Sequence, residues 1–170
     1  LIDPFQRKIE YLRVSVTDRC DLRCDYCLPK QYNDFNEPED WLSFDEIERV
    51  VAAFTGLGVR RVRLTGGEPL ARQRLPQLAQ RLGDLPGLED LSLSTNGVQL
   101  ARHAAALYDA GVTRLNVSLD SLREDRFAEI TGGGKLAKVL RGLEIASEVG
   151  FSPIKINTVA MRGVNDDEFE

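Results

Sequence analysis

Cysteine is scarce in this chain, and so is histidine. Three cysteines in 170 residues are too few for a disulfide scaffold, and an odd number pairs badly. All three fall between Cys20 and Cys27, and none follows. That clustering favours a metal site in a reducing compartment, which places the protein in the cytoplasm. The single histidine, His103, lies in a predicted helix among apolar neighbours. A lone histidine there is more often a packing or surface residue than a ligand. No apolar run approaches the roughly 20 residues that cross a bilayer. No secretory signal opens the chain, because Leu1 to Glu10 is already charged. The chain starts at Leu1 rather than Met, as a trimmed chain would. Excess positive charge is also missing. A net charge of -5 excludes a general nucleic-acid footprint but permits a local basic pocket for one phosphorylated small molecule.

What is present reads as one globular domain, with 42% hydrophobic and 29% charged residues. Short strands alternate with helices. Tyr11 to Val16 alternates like a strand, and a cysteine loop follows it. A polar stretch then carries Pro29, Asn33, Asn36 and Pro38. Ser43 and Glu46 form a capping box before Ile47, Val50, Val51 and Phe54 at helical spacing, closed by Gly56 and Gly58. The same unit recurs. Strands are expected at 62–64, 91–94, 115–119 and 154–159. Helices are expected around 75–82, 100–110, 123–130 and 136–149, most of them stopped by glycine, and Asn165 is placed to cap another. No strand run contains proline, and no low-complexity segment or linker stands out.

Consecutive βα units imply a parallel sheet with outer helices. A full eight-stranded barrel takes about 250 residues, so the expectation is α/β: a partial (β/α)6 TIM-like barrel. The chain stops where a sixth unit would begin, which reads as truncation. In such folds ligands bind at the carboxyl ends of the strands. There lie the cysteine loop, Thr65-Gly66-Gly67-Glu68-Pro69, Ser94-Thr95-Asn96-Gly97 and Ser118-Leu119-Asp120-Ser121. Polar ends on successive strands point to one shared pocket.

Cys20, Cys24 and Cys27 are separated by three and then two residues. Thiolates ligate zinc and iron–sulfur clusters. Structural zinc needs four ligands, so a missing fourth argues for an open coordination position. This spacing resembles the motif of the radical S-adenosylmethionine (SAM) superfamily. The resemblance implies that Cys20, Cys24 and Cys27 hold a 4Fe-4S cluster whose open iron takes SAM. It also implies SAM contacts from Tyr26, from Gly67 in the Gly66-Gly67-Glu68-Pro69 segment, and from Ser118. Taken alone, these residues also fit loop packing, an ordinary βα turn and a helix cap.

Flanking words resemble one family within the superfamily, the GTP 3′,8-cyclases of molybdenum-cofactor biosynthesis. They include Tyr11 to Cys20, Tyr26-Cys27-Leu28-Pro29, Val62 to Leu70, Thr95-Asn96-Gly97, Asn116 to Leu122, Ile130-Thr131-Gly132 and Lys155 to Val159. The family resemblance implies that Arg13, Arg63, Ser94 and Lys155 bind GTP, Ser94 standing where threonine is usual. It implies hydrogen abstraction at GTP C3′ and closure onto guanine C8, giving 3′,8-cyclo-7,8-dihydro-GTP. It further implies a low-potential electron donor, allows a homodimer, and places a second 4Fe-4S cluster in a C-terminal segment absent from these 170 residues. The fragment alone is expected to be inactive. Independently of family, Arg13, Arg63 and Lys155 interrupt apolar strand runs, where a charge needs an anion or water. Either a triphosphate pocket, neighbouring carboxylates or a solvated face satisfies that demand. Two rivals stand beside this reading: another radical SAM enzyme such as a peptide-modifying maturase, and a non-catalytic iron–sulfur module.

Overall fold

The computed structural model describes residues 1–27, 32–35 and 38–169. Leu28, Pro29 and Asn36, singled out from the sequence, lie outside the described residues. The chain forms β1 (Tyr11–Ser15), α1 (Phe44–Gly56), β2 (Arg61–Thr65), α2 (Leu75–Gly83), β3 (Asp90–Thr95), α3 (Leu100–Asp109) and β4 (Arg114–Ser118). Then come α4 (Glu124–Ile130), α5 (Leu136–Val149) and β5 (Ile154–Asn157). The strands pair in chain order, β1-β2-β3-β4-β5, and every pairing is parallel. This open, curling order is the wall of a partial barrel, as the alternating βα units require.

Side-chain capping fixes the start of α1. Ser43 accepts from the Glu46 amide and Glu46 accepts from the Ser43 amide, so α1 begins with both halves of a capping box. Asn165 behaves differently from the expectation. A short 3-10 turn, Asp166–Glu168, follows it, with no side-chain cap. The Asn165 amide instead donates to the carbonyls of Asp120 and Val159, at 2.7 and 2.9 Å. A buried tie to two strand ends satisfies that amide better than a helix start exposed to water.

The strands alternate with period two, and the two faces of the sheet differ completely. Leu12, Val14, Val62, Leu64, Leu91, Leu93, Leu115 and Val117 face the helices. They pack with Ile47, Val51, Leu78, Leu82, Leu100, Leu107, Val139 and Ala146 in one core. Each such buried side chain contributes about 1.5–3 kcal/mol. The opposite face carries Arg13, Ser15, Arg63, Thr65, Ser92, Ser94, Asn116, Ser118, Lys155 and Asn157. Ordinary parallel strands are apolar on both faces, and barrel interiors are packed with branched residues. A wall of cations, hydroxyls and amides cannot form such a core. The inner face of this sheet is polar and carries three cations, Arg13, Arg63 and Lys155.

Candidate functional site

At the carboxyl ends of the strands lies a cavity of about 330 Å³. Arg13, Cys20, Cys24, Tyr26, Cys27, Gly66, Gly67, Ser94, Asn96 and Ser118 line it. Four βα loops therefore meet at one place, as the polar strand ends foretold. Arg63 and Lys155 do not line this cavity. They share its face of the sheet through register: Arg13 sits beside Arg63, and Asn116 beside Lys155. Arg63 donates to the Ser92 hydroxyl at 3.4 Å and stacks 5.4 Å from the Tyr11 ring centre. Arg13 and Lys155 are exposed. Among the described residues no carboxylate pairs with any of these three cations.

The cysteine loop is held from several sides. The amides of Arg23 and Asp25 donate to the carbonyls of Thr131 and Ile130, each at 3.0 Å. The Arg23 guanidinium donates to the Cys20 carbonyl at 2.6 Å. Gly132 has φ of 69°, and a Cβ there would stand 2.7 Å from the Arg23 carbonyl oxygen. Ile130-Thr131-Gly132, noticed in the sequence only as a family word, is thus the shelf on which the loop rests. The glycine pair also has a packing reason beside the expected ligand contact. A Cβ on Gly66 would meet the Thr17 oxygen at 2.4 Å, and one on Gly67 the Arg19 oxygen at 2.4 Å. These glycines admit the chain leading into the cysteine loop as well as bordering the cavity.

Sequence reasoning missed three side chains that organise the site. Glu68 is fully buried. Its carboxylate accepts from the Leu70 amide (2.9 Å), the Thr95 hydroxyl (2.8 Å) and the Asn96 amide (2.7 Å). Burial pushes its pKa up to about 7, against the pull of these hydrogen bonds. Asn96 continues the chain of contacts, donating to Asp21 Oδ1 at 2.7 Å and approaching Cys20 Sγ at 3.8 Å. Asp120, buried after β4, accepts from the Tyr26 hydroxyl at 2.7 Å and the Val159 amide at 2.9 Å. Burial and then Asp120 push the Tyr26 hydroxyl far up, so it stays a donor. Each of these residues stands in a polar strand-end word, but contacts across 94 residues, as between Tyr26 and Asp120, carry no local signal.

Burial raises the Cys20 thiol and, with Asp120 beside it, pushes Cys24 up to about 11. Protein groups alone therefore keep these sulfurs protonated. Bound iron reverses that balance, because a metal cation favours the thiolate outright. Among the described residues no His, Cys, Asp or Glu trio is closed up to the spacing of a single metal ion. All three thiols line the one cavity, so Cys20, Cys24 and Cys27 can serve there together as ligands.

Residues 14–170 match the radical SAM superfamily, with the cysteines and the glycine pair inside the match. The chain belongs to that superfamily. Membership implies a 4Fe-4S cluster and SAM as cofactors. The GTP 3′,8-cyclase of Hydrogenovibrio crunogenus is 51% identical over 171 residues, covering 100% of this chain and 52% of that protein. The GTP 3′,8-cyclase of Pelotomaculum thermopropionicum is 51% identical over 166 residues, covering 98% and 51%. The chain spans about half the length of these curated relatives. Among solved structures, Streptococcus suis SuiB bound to S-adenosylmethionine superposes with a TM-score of 0.72 at 21% identity, over 91% of this chain and 33% of that one. Methylornithine synthase does so with 0.70 at 17%, over 92% and 46%. Those likenesses establish the shared fold.

Proposed function

We propose that this chain is the SAM-cleaving core of a GTP 3′,8-cyclase. The observation that carries the reading is the cavity shared by Cys20, Cys24, Cys27 and Arg13, on a sheet face that also carries Arg63 and Lys155. The identity of about half of all residues to proteins of that name supports it. When bound, the cluster and SAM supply one-electron cleavage of a carbon–sulfur bond and, through it, hydrogen abstraction from GTP C3′ with closure onto C8.

The residues of the chain do the holding. Cys20, Cys24 and Cys27 ligate the cluster. Tyr26, Gly67 and Ser118 hold SAM, with Tyr26 kept in place by Asp120. Arg13, Arg63 and Lys155 take the triphosphate, which explains cations left without carboxylate partners on a sheet face. Ser94 gives one hydrogen bond to the same substrate. Residues 1–170 form the radical SAM core domain in this proposal. A second 4Fe-4S cluster, as the family resemblance implies, would supply the guanine contacts. A low-potential electron donor and a homodimer complete the set of partners. Among the described residues no helix is long and apolar enough to cross a membrane. A cytoplasmic setting follows from the need for reduced thiols.

Anaerobic reconstitution of the full-length protein, followed by dithionite, SAM and GTP, tests the reading. The expected products are 5′-deoxyadenosine and 3′,8-cyclo-7,8-dihydro-GTP. Arg63→Ala and Lys155→Ala should each weaken GTP binding by about tens-fold, as loss of a charge-assisted contact does, with SAM binding intact. SAM cleavage with unchanged GTP affinity in both variants would move the assignment to another radical SAM substrate, a peptide among them. No cleavage from a verified cluster would leave only an iron–sulfur module.

A further inference from the structure

A second concavity lies outside the barrel wall. A groove of about 460 Å³ is lined by Val98, Ala101 and Ala137 together with the cations Arg102, Lys138 and Arg141. It runs between the first turns of α3 and α5, at the same end of the sheet as the cysteine loop. Closeness of the two helices below it comes from Gly142, where a Cβ would meet the Gly97 oxygen at 2.9 Å and Leu100 Cβ at 3.0 Å.

The charge here runs against the rest of the molecule. The chain as a whole carries a net charge of -5. Arg102 and Lys138 stand in first turns that contain no acidic residue. Cations at the positive end of a helix oppose its dipole, whereas α1 and α4 place carboxylates there. Among the described residues neither Arg102 nor Lys138 has an ion-pair partner. Arg141 pairs with Glu144 at 2.5 Å. Two exposed, uncompensated cations around an apolar strip are unfavourable for the isolated chain and favourable for an acidic partner.

The groove also touches the cluster site. Gln99, which lines it, donates to Asp21 Oδ2 at 3.0 Å. Asp21 adjoins Cys20 in sequence, and its other oxygen accepts from Asn96, which approaches Cys20 Sγ at 3.8 Å. One layer of hydrogen-bonded side chains therefore separates this groove from the first thiol.

We propose that the α3–α5 groove is the docking surface for an acidic, one-electron carrier protein that reduces the cluster. The inference rests on the SAM-cleaving reading above and adds where the electron enters. The carrier gives up one electron and is oxidised by one unit. The cluster held by Cys20, Cys24 and Cys27 is reduced by one unit, and no bond forms or breaks. Complementary charge steers the encounter and sets its rate, so binding should respond to salt.

The test uses the full-length reconstituted protein, with an oxidised plant-type [2Fe-2S] ferredoxin as the acidic low-potential probe. Affinity is measured by calorimetry and should fall at least about tenfold between ~0.05 M and ~0.5 M salt. The Arg102→Glu/Lys138→Glu variant should weaken binding by about 30-fold or more. Its cluster absorbance and dithionite-driven SAM cleavage should match the parent protein. Arg102→Ala and Lys138→Ala give the same comparison if charge reversal disturbs folding. Binding unchanged in all variants, or indifferent to salt, overturns the proposal. So does a concentration-dependent dimer abolished by the same substitutions, which would assign the groove to a second copy. Failure of dithionite-driven cleavage in the parent protein would instead sink the SAM-cleaving reading, while the calorimetry still reports on docking.

Discussion

Asp120 ties together three stretches, two through its buried carboxylate and one through its backbone carbonyl. Tyr26 of the cysteine loop and Val159 beyond β5 both donate to the carboxylate, and Asn165 donates to the carbonyl. Asp120→Ala leaves a hydroxyl and an amide without their acceptor, so stability should fall by roughly 2–4 kcal/mol in urea unfolding. SAM affinity should fall with it, because Tyr26 loses its tether. Tyr26→Phe removes one of these bonds and should cost about 1–2 kcal/mol in the same measurement. Unaltered SAM affinity in both variants would mean that the tether serves folding alone. Glu68 makes a pH-dependent prediction. Its folded pKa, about 7, lies above the usual 4.5. The native state therefore holds a proton that the unfolded state has released, and stability declines as pH rises between those values. Removing that slope is the expected effect of Glu68→Gln, seen as a flatter unfolding free energy from pH 4.5 to 7. On the order of 2–3 kcal/mol is at stake over that window.

Elements matter here chiefly for how they end. The turn after α4 carries the cysteine loop, and Gly132 is its tightest point. Gly132→Ala combines a positive φ with a Cβ against the Arg23 carbonyl. It should displace the loop, lower iron incorporation per chain and cost about 1–3 kcal/mol. Normal iron content in that variant would show that the shelf is dispensable. At the other extreme, the capping box of α1 was fully readable from Ser43 and Glu46, because its bonds span only three residues. Helix and strand positions were legible for the same reason: burial of one face imposes a period that runs along the chain. The Asn165 turn was not legible, since its partners, Asp120 and Val159, lie in the segments that follow β4 and β5 and meet only in the fold.

At the scale of the whole molecule, the sheet separates an apolar outer face from a cationic inner one. Arg13 and Arg63 are register neighbours without a carboxylate between them. Like charges side by side destabilise a sheet, so Arg13→Gln should raise stability by about 0.5 kcal/mol while weakening GTP binding. A melting temperature lowered by this substitution would show that the pair is structurally supported rather than held for a ligand.

Composition, period and spacing along the chain determined the parallel α/β architecture, the cysteine motif and the strand ends that meet at one cavity. Those features depend on residues a few positions apart. Tertiary structure alone decided that Glu68, Asn96 and Asp120 knit the loops together, that Arg63 and Lys155 stand on the cavity's sheet face without lining it, and that a cationic groove adjoins Asp21. Side chains far apart in sequence are brought together by packing of the sheet and helices, and the hydrogen bonds between them follow from that packing rather than from any local pattern.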